Sequence, residues 1–207
     1  MKRNLLIIGA GGQGKVVADI AKRMNQWEEI AFLDDNEKIK SVLGYKVIGK
    51  TSEYNKYLKE FDVFVGIGNN DIRHMFHKEL ENKFASIPTL IHPSTIIGEN
   101  VEIGKGTVIM PGVIINSSTK IGKGCIINTG SIIDHDNEIG DFVHISPGVR
   151  LAGSVEIGNK SWLGIGSVVI NNINIAEESV IGAGAVVISH ITEKGTYVGV
   201  PAKRIDN

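Results

Sequence analysis

The chain has 207 residues, of which 42% are hydrophobic and 22% are charged, and its formal net charge is −1 at pH 7. This balance supplies core material for one or two folded domains and argues against disorder. It offers no basic face for nucleic acid, and no apolar segment is long enough to cross a membrane, so a cytoplasmic protein is expected. The single cysteine, Cys125, fits a reducing compartment because it cannot form an internal disulfide.

The first ninety residues begin with the pattern of a strand, a glycine turn and a helix. The apolar run 5–8 is followed by Gly9, Gly11 and Gly14 in a G-x-G-x-x-G arrangement, and residues 15–22 carry apolar side chains at helical spacing. Such a turn brings backbone N–H groups to an anion at the positive end of the helix dipole. The pattern predicts a site for a nucleotide-type ligand.

Further strands are predicted at 30–33, 47–48 and 63–67, with helices between them. They complete only one mononucleotide-binding half, which suits a ligand with one nucleoside and a diphosphate better than a dinucleotide. The second strand ends in two acids and the fourth ends in a glycine- and asparagine-rich loop, so both should reach one crevice. The candidate ligand contacts in this region are Gly12, Gln13, Gly14, Asp34, Asp35, Gly68 and Asn69.

Beyond Pro88 and Pro93 a period of six residues takes over. Seventeen consecutive hexads begin with an aliphatic residue, from Ile91 to Val187, and the second position is often glycine while the fifth is small or β-branched. We predict a stacked β-solenoid in which the aliphatic residue points inward, the small residue fills a corner, and the glycine provides the backbone angles of the turn. Three hexads per coil place residues eighteen apart in register, as in the series Ile97, Ile115, Ile133, Leu151 and Val169.

These features resemble the hexapeptide-repeat acyltransferases. The repeat, the tail 199–204 (GVPAKR) and the N-terminal segments 9–14, 32–35 and 66–70 are similar to one branch of that family, the nucleotide-sugar 4-amino N-acetyltransferases of the bacillosamine type and the related sialic acid O-acetyltransferases. The resemblance implies a Rossmann-like α/β domain over residues 1–88, a left-handed parallel β-helix over 89–207, and a homotrimer with active sites between subunits. It also implies acetyl-CoA as co-substrate and no metal.

His135 is the candidate general base. It lies in a hexad that has Asp134 in place of the common glycine and Asn137 in place of a small residue, so this coil departs from the packing rule where a site would tolerate it. Two carboxylates flank it, and it matches the family's catalytic histidine. The resemblance assigns the supporting acid to Asp136, with Asp134 as an open alternative, and places Asn128 near the acceptor.

The resemblance also places the acetyl donor. It implies that His144 contacts the thioester end of acetyl-CoA and that Gly153, Ile165 and Ala183 line the pantetheine groove. Cys125 occupies a small fifth position, so we predict a packed thiol and no nucleophile. Gln13 departs from the family, in which many relatives carry histidine, and it can donate a hydrogen bond but cannot be charged.

The function so implied is acetyl transfer from acetyl-CoA to the 4-amino group of a UDP-linked 4-amino-6-deoxy sugar, with histidine as general base. O-acetylation of sialic acid or a related sugar is the alternative within enzymes, and a non-catalytic nucleotide-sugar-binding scaffold is the alternative of another class. A zinc enzyme of the same architecture would need three histidine ligands, and the central coils offer only His135 and His144.

Overall fold

The computed structural model describes residues 3–205. The chain divides into two compact units, Met1–Pro93 and Ser94–Asn207. No helix in the described range is long and apolar enough to cross a membrane.

The first unit is an α/β sandwich built on a five-stranded sheet. Its order is β3-β4-β2-β1-β5, in which β1, β2, β4 and β5 are parallel and β3 forms an antiparallel hairpin with β4. Its elements are β1 (Asn4–Ile8), α1 (Gly12–Met24), β2 (Ile30–Leu33), β3 (Ser41–Val42), β4 (Tyr45–Gly49), a 3-10 helix (Thr51–Lys56), β5 (Phe61–Val65), α2 (Asn70–Asn82) and β6 (Leu90–Ile91).

The strands that were predicted from apolar runs are present, because both faces of the central strands are buried. All four residues of β2 are buried, as are the last four of β1. Parallel strands that are covered on both faces read as continuous apolar runs. The helix predicted between the second and third strands is wrong, because that segment holds the short strand β3 in a hairpin with β4. A two-residue hairpin partner leaves no periodic signal.

The second unit is a three-sided parallel solenoid. From β7 to β22 each strand has two residues, and each ends on a predicted hexad start. The first sheet contains β7 (Ile96–Ile97), β10 (Ile114–Ile115), β13 (Ile132–Ile133), β16 (Arg150–Leu151), β19 (Val168–Val169) and β22 (Val186–Val187). The second sheet contains β8 (Glu102–Ile103), β11 (Lys120–Ile121), β14 (Glu138–Ile139), β17 (Glu156–Ile157) and β20 (Asn174–Ile175). The third sheet contains β9 (Val108–Ile109), β12 (Ile126–Ile127), β15 (His144–Ile145), β18 (Trp162–Leu163) and β21 (Val180–Ile181), extended by β23 (Thr196–Val198) and β24 (Lys203–Ile205).

The predicted register is confirmed. Ile115 pairs with Ile97 on one side and with Ile133 on the other, and the series continues through Leu151 and Val169. From Ile115 onward each of these side chains is at most 2% exposed. Cys125 is also fully buried, in agreement with a packing role.

The predicted reason for the second-position glycines is wrong. None of them has a positive φ; the left-handed angles fall on the fourth hexad position, whether it is glycine, as at Gly106 and Gly124, or not, as at Ser118 and Asp136. The second-position glycines are required by contact instead. A Cβ at Gly158 would lie 2.3 Å from the backbone nitrogen of residue 177 in the next coil. Close stacking of coils, rather than turn geometry, therefore selects glycine there.

The outward faces of the sheets differ in polarity. Side chains alternate along a strand, so the residue before each buried hexad start points outward. On the second sheet these are exposed polar residues such as Glu102, Lys120 and Glu156. On the first sheet the outward residues are mostly aliphatic. Ile96, on the terminal strand of this sheet, is 63% exposed. The first sheet therefore presents an apolar stripe, which consists of Ile96, Ile114, Ile132, Val168 and Val186.

Candidate active site

The first unit contains a cleft of about 640 Å³ at the carboxyl ends of β1, β2 and β5. It is lined by the glycine turn, the acids after β2 and the loop before α2, together with apolar side chains of α2. The lining residues are Gly9, Gly11, Gly12, Gln13, Asp34, Asp35, Thr51, Gly66, Ile67, Gly68, Ile72, Met75 and Phe76.

The glycines of the turn have two different tasks. A Cβ at Gly14 would lie 1.9 Å from the carbonyl oxygen of Gly9, so Gly14 is needed for helix-to-strand packing. Gly11 and Gly12 have no atom within 4 Å of that position, and they face open space at the start of α1. The first N–H groups of a helix have no intrahelical partner and lie at the positive end of its dipole. The start of α1 is therefore open, with the N–H groups and dipole end that an anion would need.

Three predicted contact residues also serve as local supports. Asp34 accepts hydrogen bonds from the N–H groups of Ala10 and Asn36, at 2.7 and 2.8 Å, which fastens the glycine turn to β2. Asp35 accepts from the backbone and the hydroxyl of Thr51. Asn69 caps α2 by accepting from the N–H of residue 72, and neither Asn69 nor Gly14 lines the cleft.

Sequence reasoning missed Arg73, which is 1% exposed. Its guanidinium donates to the carbonyl oxygens of Ile67 and Gly68 and to the side chain of Asn70. Arginine has five donors in a rigid planar fork, which suits it to holding several carbonyls of one loop. A charged residue on the apolar side of α2 was the available signal.

His135 projects from the corner that follows β13. Its Nδ1 lies 2.7 Å from Oδ2 of Asp136, and both side chains are more than half exposed. Asp134 does not contact the ring, because its Oδ1 accepts from the backbone N–H of His135 at 2.9 Å and from the side-chain amide of Asn116 at 2.7 Å. The acid on the imidazole is therefore Asp136, which occupies a left-handed fourth position with φ +56°.

The charges at this corner reinforce one another. The hydrogen bond to Asp136 raises the pKa of His135 above its ordinary value, and the negative charge of Asp134 acts in the same direction. The hydrogen bond from Asn116 lowers the pKa of Asp134. The corner therefore carries an exposed, basic imidazole beside two carboxyl groups.

Gly153 lies under the imidazole, one coil further on. A Cβ on this residue would lie 2.6 Å from Cε1 and 2.8 Å from Nε2 of His135. The residue is buried and has no positive φ, so glycine is needed there for space alone. Whatever its part in a pantetheine groove, Gly153 provides the surface on which the ring rests.

His144 belongs to a second group, on the outward side of the third sheet. Its Nε2 is 3.4 Å from the amide nitrogen of Asn128, and its ring stacks on Trp162 with centroids 6.2 Å apart. The indole N–H of Trp162 donates to Ser146 at 2.9 Å. Sequence reasoning missed Trp162, although a half-exposed tryptophan eighteen residues after His144 was a usable signal.

A single solenoid does not bring the two groups together. His135 follows a strand of the first sheet, whereas His144 lies in the third sheet, with β14 of the second sheet between them along the chain. Ile165 and Ala183 are both exposed and follow strands of the third sheet, so they lie nearer to His144 in the coil than to His135. Across residues 3–205, no three His, Cys, Asp or Glu side chains are grouped so as to hold a metal ion.

Comparison with known proteins relates both parts of the chain to sugar N-acetyltransferases. Residues 4–80 match the family described as the PglD N-terminal domain. A 110-residue segment is 37% identical to UDP-N-acetylbacillosamine N-acetyltransferase of Bacillus subtilis (strain 168); it covers 51% of this chain and half the length of that enzyme.

Two solved structures match over nearly the whole chain. The acetyltransferase domain of PglB from Neisseria gonorrhoeae FA1090, also solved with acetyl coenzyme A, is 37% identical with a TM-score of 0.95, over 99% of this chain and 100% of that one. Perosamine N-acetyltransferase from Caulobacter crescentus, solved with CoA and GDP-perosamine as a variant with histidine replaced by asparagine, is 32% identical with a TM-score of 0.94, over 99% and 97%.

The α/β unit, the six-residue coil and the similarity to these solved structures define a hexapeptide-repeat acetyltransferase with a left-handed β-helix. Within that class, the chain belongs to the acetyl-CoA-dependent sugar N-acetyltransferases of the bacillosamine type.

Proposed function

We propose that this protein transfers the acetyl group of acetyl-CoA to the 4-amino group of a UDP-linked 4-amino-6-deoxy sugar, with His135 as general base. The observation that carries the proposal is the 2.7 Å contact between Nδ1 of His135 and Asp136. A carboxylate can only accept a hydrogen bond, so Nδ1 carries the hydrogen and Nε2 is the nitrogen that takes up a proton.

The reaction needs a base and correct placement of the reactants. The amine nitrogen attacks the thioester carbonyl, a C–N bond forms, and the proton of the attacking nitrogen passes to Nε2 of His135. The tetrahedral intermediate then collapses, the C–S bond breaks, and the departing thiolate receives the proton from the imidazolium. A base in this position contributes about 10² to 10⁴ in rate.

The cleft of the first unit would hold the nucleotide part of the acceptor. Gly11 and Gly12 at the start of α1 suit a diphosphate, and Asp34 and Asp35 suit hydroxyl groups of a ribose, since ionised carboxylates accept from them. The Nε2 atom of Gln13 is buried without a hydrogen-bond partner, and Gln13 lines the cleft. We assign it as a donor to the acceptor's diphosphate or sugar.

His144 would face the thioester end of acetyl-CoA. The side-chain amide of Asn128 can donate to Nε2 of His144, which orients the imidazole on the outward side of the third sheet. Gly153, Ile165 and Ala183 would line the groove for the pantetheine arm, where small or flat surfaces let the donor lie against the coils.

A homotrimer would complete the site. His135 and His144 are on different sides of one solenoid, so a cleft that uses both needs a wall from a second copy. The apolar stripe of the first sheet, which Arg150 interrupts, offers a surface for that contact, because exposed apolar patches mark association sites.

The test is a thiol-release assay with UDP- and GDP-linked 4-amino sugars and sialic acid. We expect turnover of a UDP-linked 4-amino-6-deoxy sugar and a loss of about 10²-fold or more in kcat for His135→Ala. His190, an exposed histidine whose Nδ1 accepts from the backbone N–H of Asn174, is the control, and His190→Ala should keep full activity. Preference for sialic acid would instead indicate O-acetylation. Unchanged turnover in His135→Ala would show that the base is wrong.

A further inference from the structure

Two buried polar side chains, Thr119 and Asn137, are hydrogen-bonded to the corner that carries His135. The Thr119 hydroxyl donates to the carbonyl oxygen of Asp134 at 2.9 Å and accepts from the Asn137 N–H at 3.3 Å. The Asn137 amide donates to the carbonyl oxygens of Asp134, His135 and Ala152, at 2.7, 3.2 and 3.0 Å. Both side chains are completely buried.

These bonds fix the two peptide planes on either side of the His135 Cα. The carbonyl of Asp134 belongs to the peptide before His135, and the carbonyl of His135 belongs to the peptide after it. Because peptide units are planar, holding both of them sets φ and ψ of His135 and hence the direction of its Cβ. The ring then has only its side-chain rotations left, and Gly153 and Asp136 limit those.

Packing alone does not explain an asparagine at this position. At other fifth hexad positions, Thr107 holds a single carbonyl, that of Gly122, at 2.8 Å, and Ser161 holds that of Ala176. Asn137 reaches two further carbonyls, yet its Oδ1 is buried and has no hydrogen-bond partner. The hydroxyls of Ser167 and Ser179, at other fifth positions, are likewise buried without a partner, so the two further carbonyls are what distinguishes Asn137. Where a local rule is broken at a cost, a functional reason is expected.

We infer that Thr119 and Asn137 are positioning residues, which hold the His135 backbone from inside the solenoid so that its imidazole keeps the orientation needed for proton transfer. This inference rests on the proposed role of His135. Neither side chain can touch a substrate, because both are enclosed by the coils.

The chain offers a matched pair for the test. Thr119 and Thr107 are both buried, both occupy a fifth hexad position, and each donates to the carbonyl fifteen residues on and accepts from the N–H eighteen residues on. Only the Thr119 acceptor belongs to the His135 corner. We would compare Thr119→Val with Thr107→Val, and add Asn137→Ser, which keeps a hydroxyl of the kind that Ser161 uses.

We expect Thr119→Val and Asn137→Ser to lower kcat about tenfold with little change in either KM, because a small misplacement of a catalytic group is costly. In the same variants the pKa of the His135 imidazole, followed by NMR, should fall toward the ordinary value as its bond to Asp136 loosens. Thr107→Val should lose a similar amount of thermal stability and keep wild-type kcat and pKa.

The inference is overturned if Thr119→Val matches Thr107→Val in both kcat and imidazole pKa. Thr119→Val decides the matter alone if Asn137→Ser does not fold. A His135→Ala arm separates the two proposals: if that variant keeps wild-type turnover, the proposed base is wrong, while the NMR comparison still decides whether Thr119 and Asn137 fix the imidazole.

Discussion

Replacing Gly153 with alanine adds one methyl group directly beneath the His135 ring. The new Cβ would lie 2.6 Å from Cε1, 2.8 Å from Nε2 and 3.2 Å from Nδ1. Carbon atoms in contact prefer about 3.5–4.0 Å, so the ring must move by roughly 1 Å. The backbone at residue 153 does not have a positive φ, so alanine itself introduces no backbone strain.

The displacement should be costly for catalysis and mild for folding. Moving the ring breaks the 2.7 Å contact with Asp136, and a misplacement of about 1 Å can reduce the rate about 10²-fold. That factor corresponds to about 3 kcal/mol of transition-state stabilisation. Local overpacking at an exposed ring should lower the free energy of unfolding by no more than about 1–3 kcal/mol.

The assay is steady-state thiol release, with kcat and both KM values determined for the wild type and Gly153→Ala. The control is the same substitution in a His135→Ala background, where no ring is present and alanine at residue 153 should cost no stability. The difference between the two backgrounds in the free energy of unfolding measures the coupling of residue 153 to the His135 ring. A raised KM for acetyl-CoA with unchanged kcat would refute the reasoning and leave Gly153 as a groove residue only.

Three further predictions concern other features. Asp136→Asn should move the midpoint of the kcat/KM pH profile to lower pH. The raised pKa keeps His135 protonated to a higher pH, and this substitution removes the main cause of that rise. A midpoint that stays in place would contradict the assignment of Asp136 as the partner of His135. Gly14→Ala should lower the free energy of unfolding by about 1–3 kcal/mol in chemical denaturation. Gly12→Ala should fold normally and raise the KM for the nucleotide sugar. Equal losses of stability in the two variants would contradict the division of tasks within the turn. If the proposed trimer forms through the apolar stripe, Ile114→Asp should lower the sedimentation coefficient to that of a monomer with loss of acetyl transfer. An unchanged coefficient would show that the apolar stripe is not the subunit contact.

The sequence alone determined the architecture, because the solenoid is periodic. Each hexad start from Ile97 to Val187 is the end of an observed strand, and the eighteen-residue register follows from the same count. A chain that repeats one local unit needs only neighbouring contacts to fold, so local pattern and tertiary structure agree. The strands β1 and β2 were also predictable, because strands that are covered on both faces read as continuous apolar runs.

The tertiary structure decided which chemical groups meet. Adjacency in sequence could not choose between Asp134 and Asp136 as the partner of His135, although the family resemblance assigned Asp136. In the structure Asp136 contacts the imidazole, whereas Asp134 accepts from Asn116 and from the backbone. The support that Gly153 and Thr119 give to the same corner comes from residues one coil away, and contact across coils depends on exact stacking. Register gives the neighbours, but only atomic distances show which of them hold the ring.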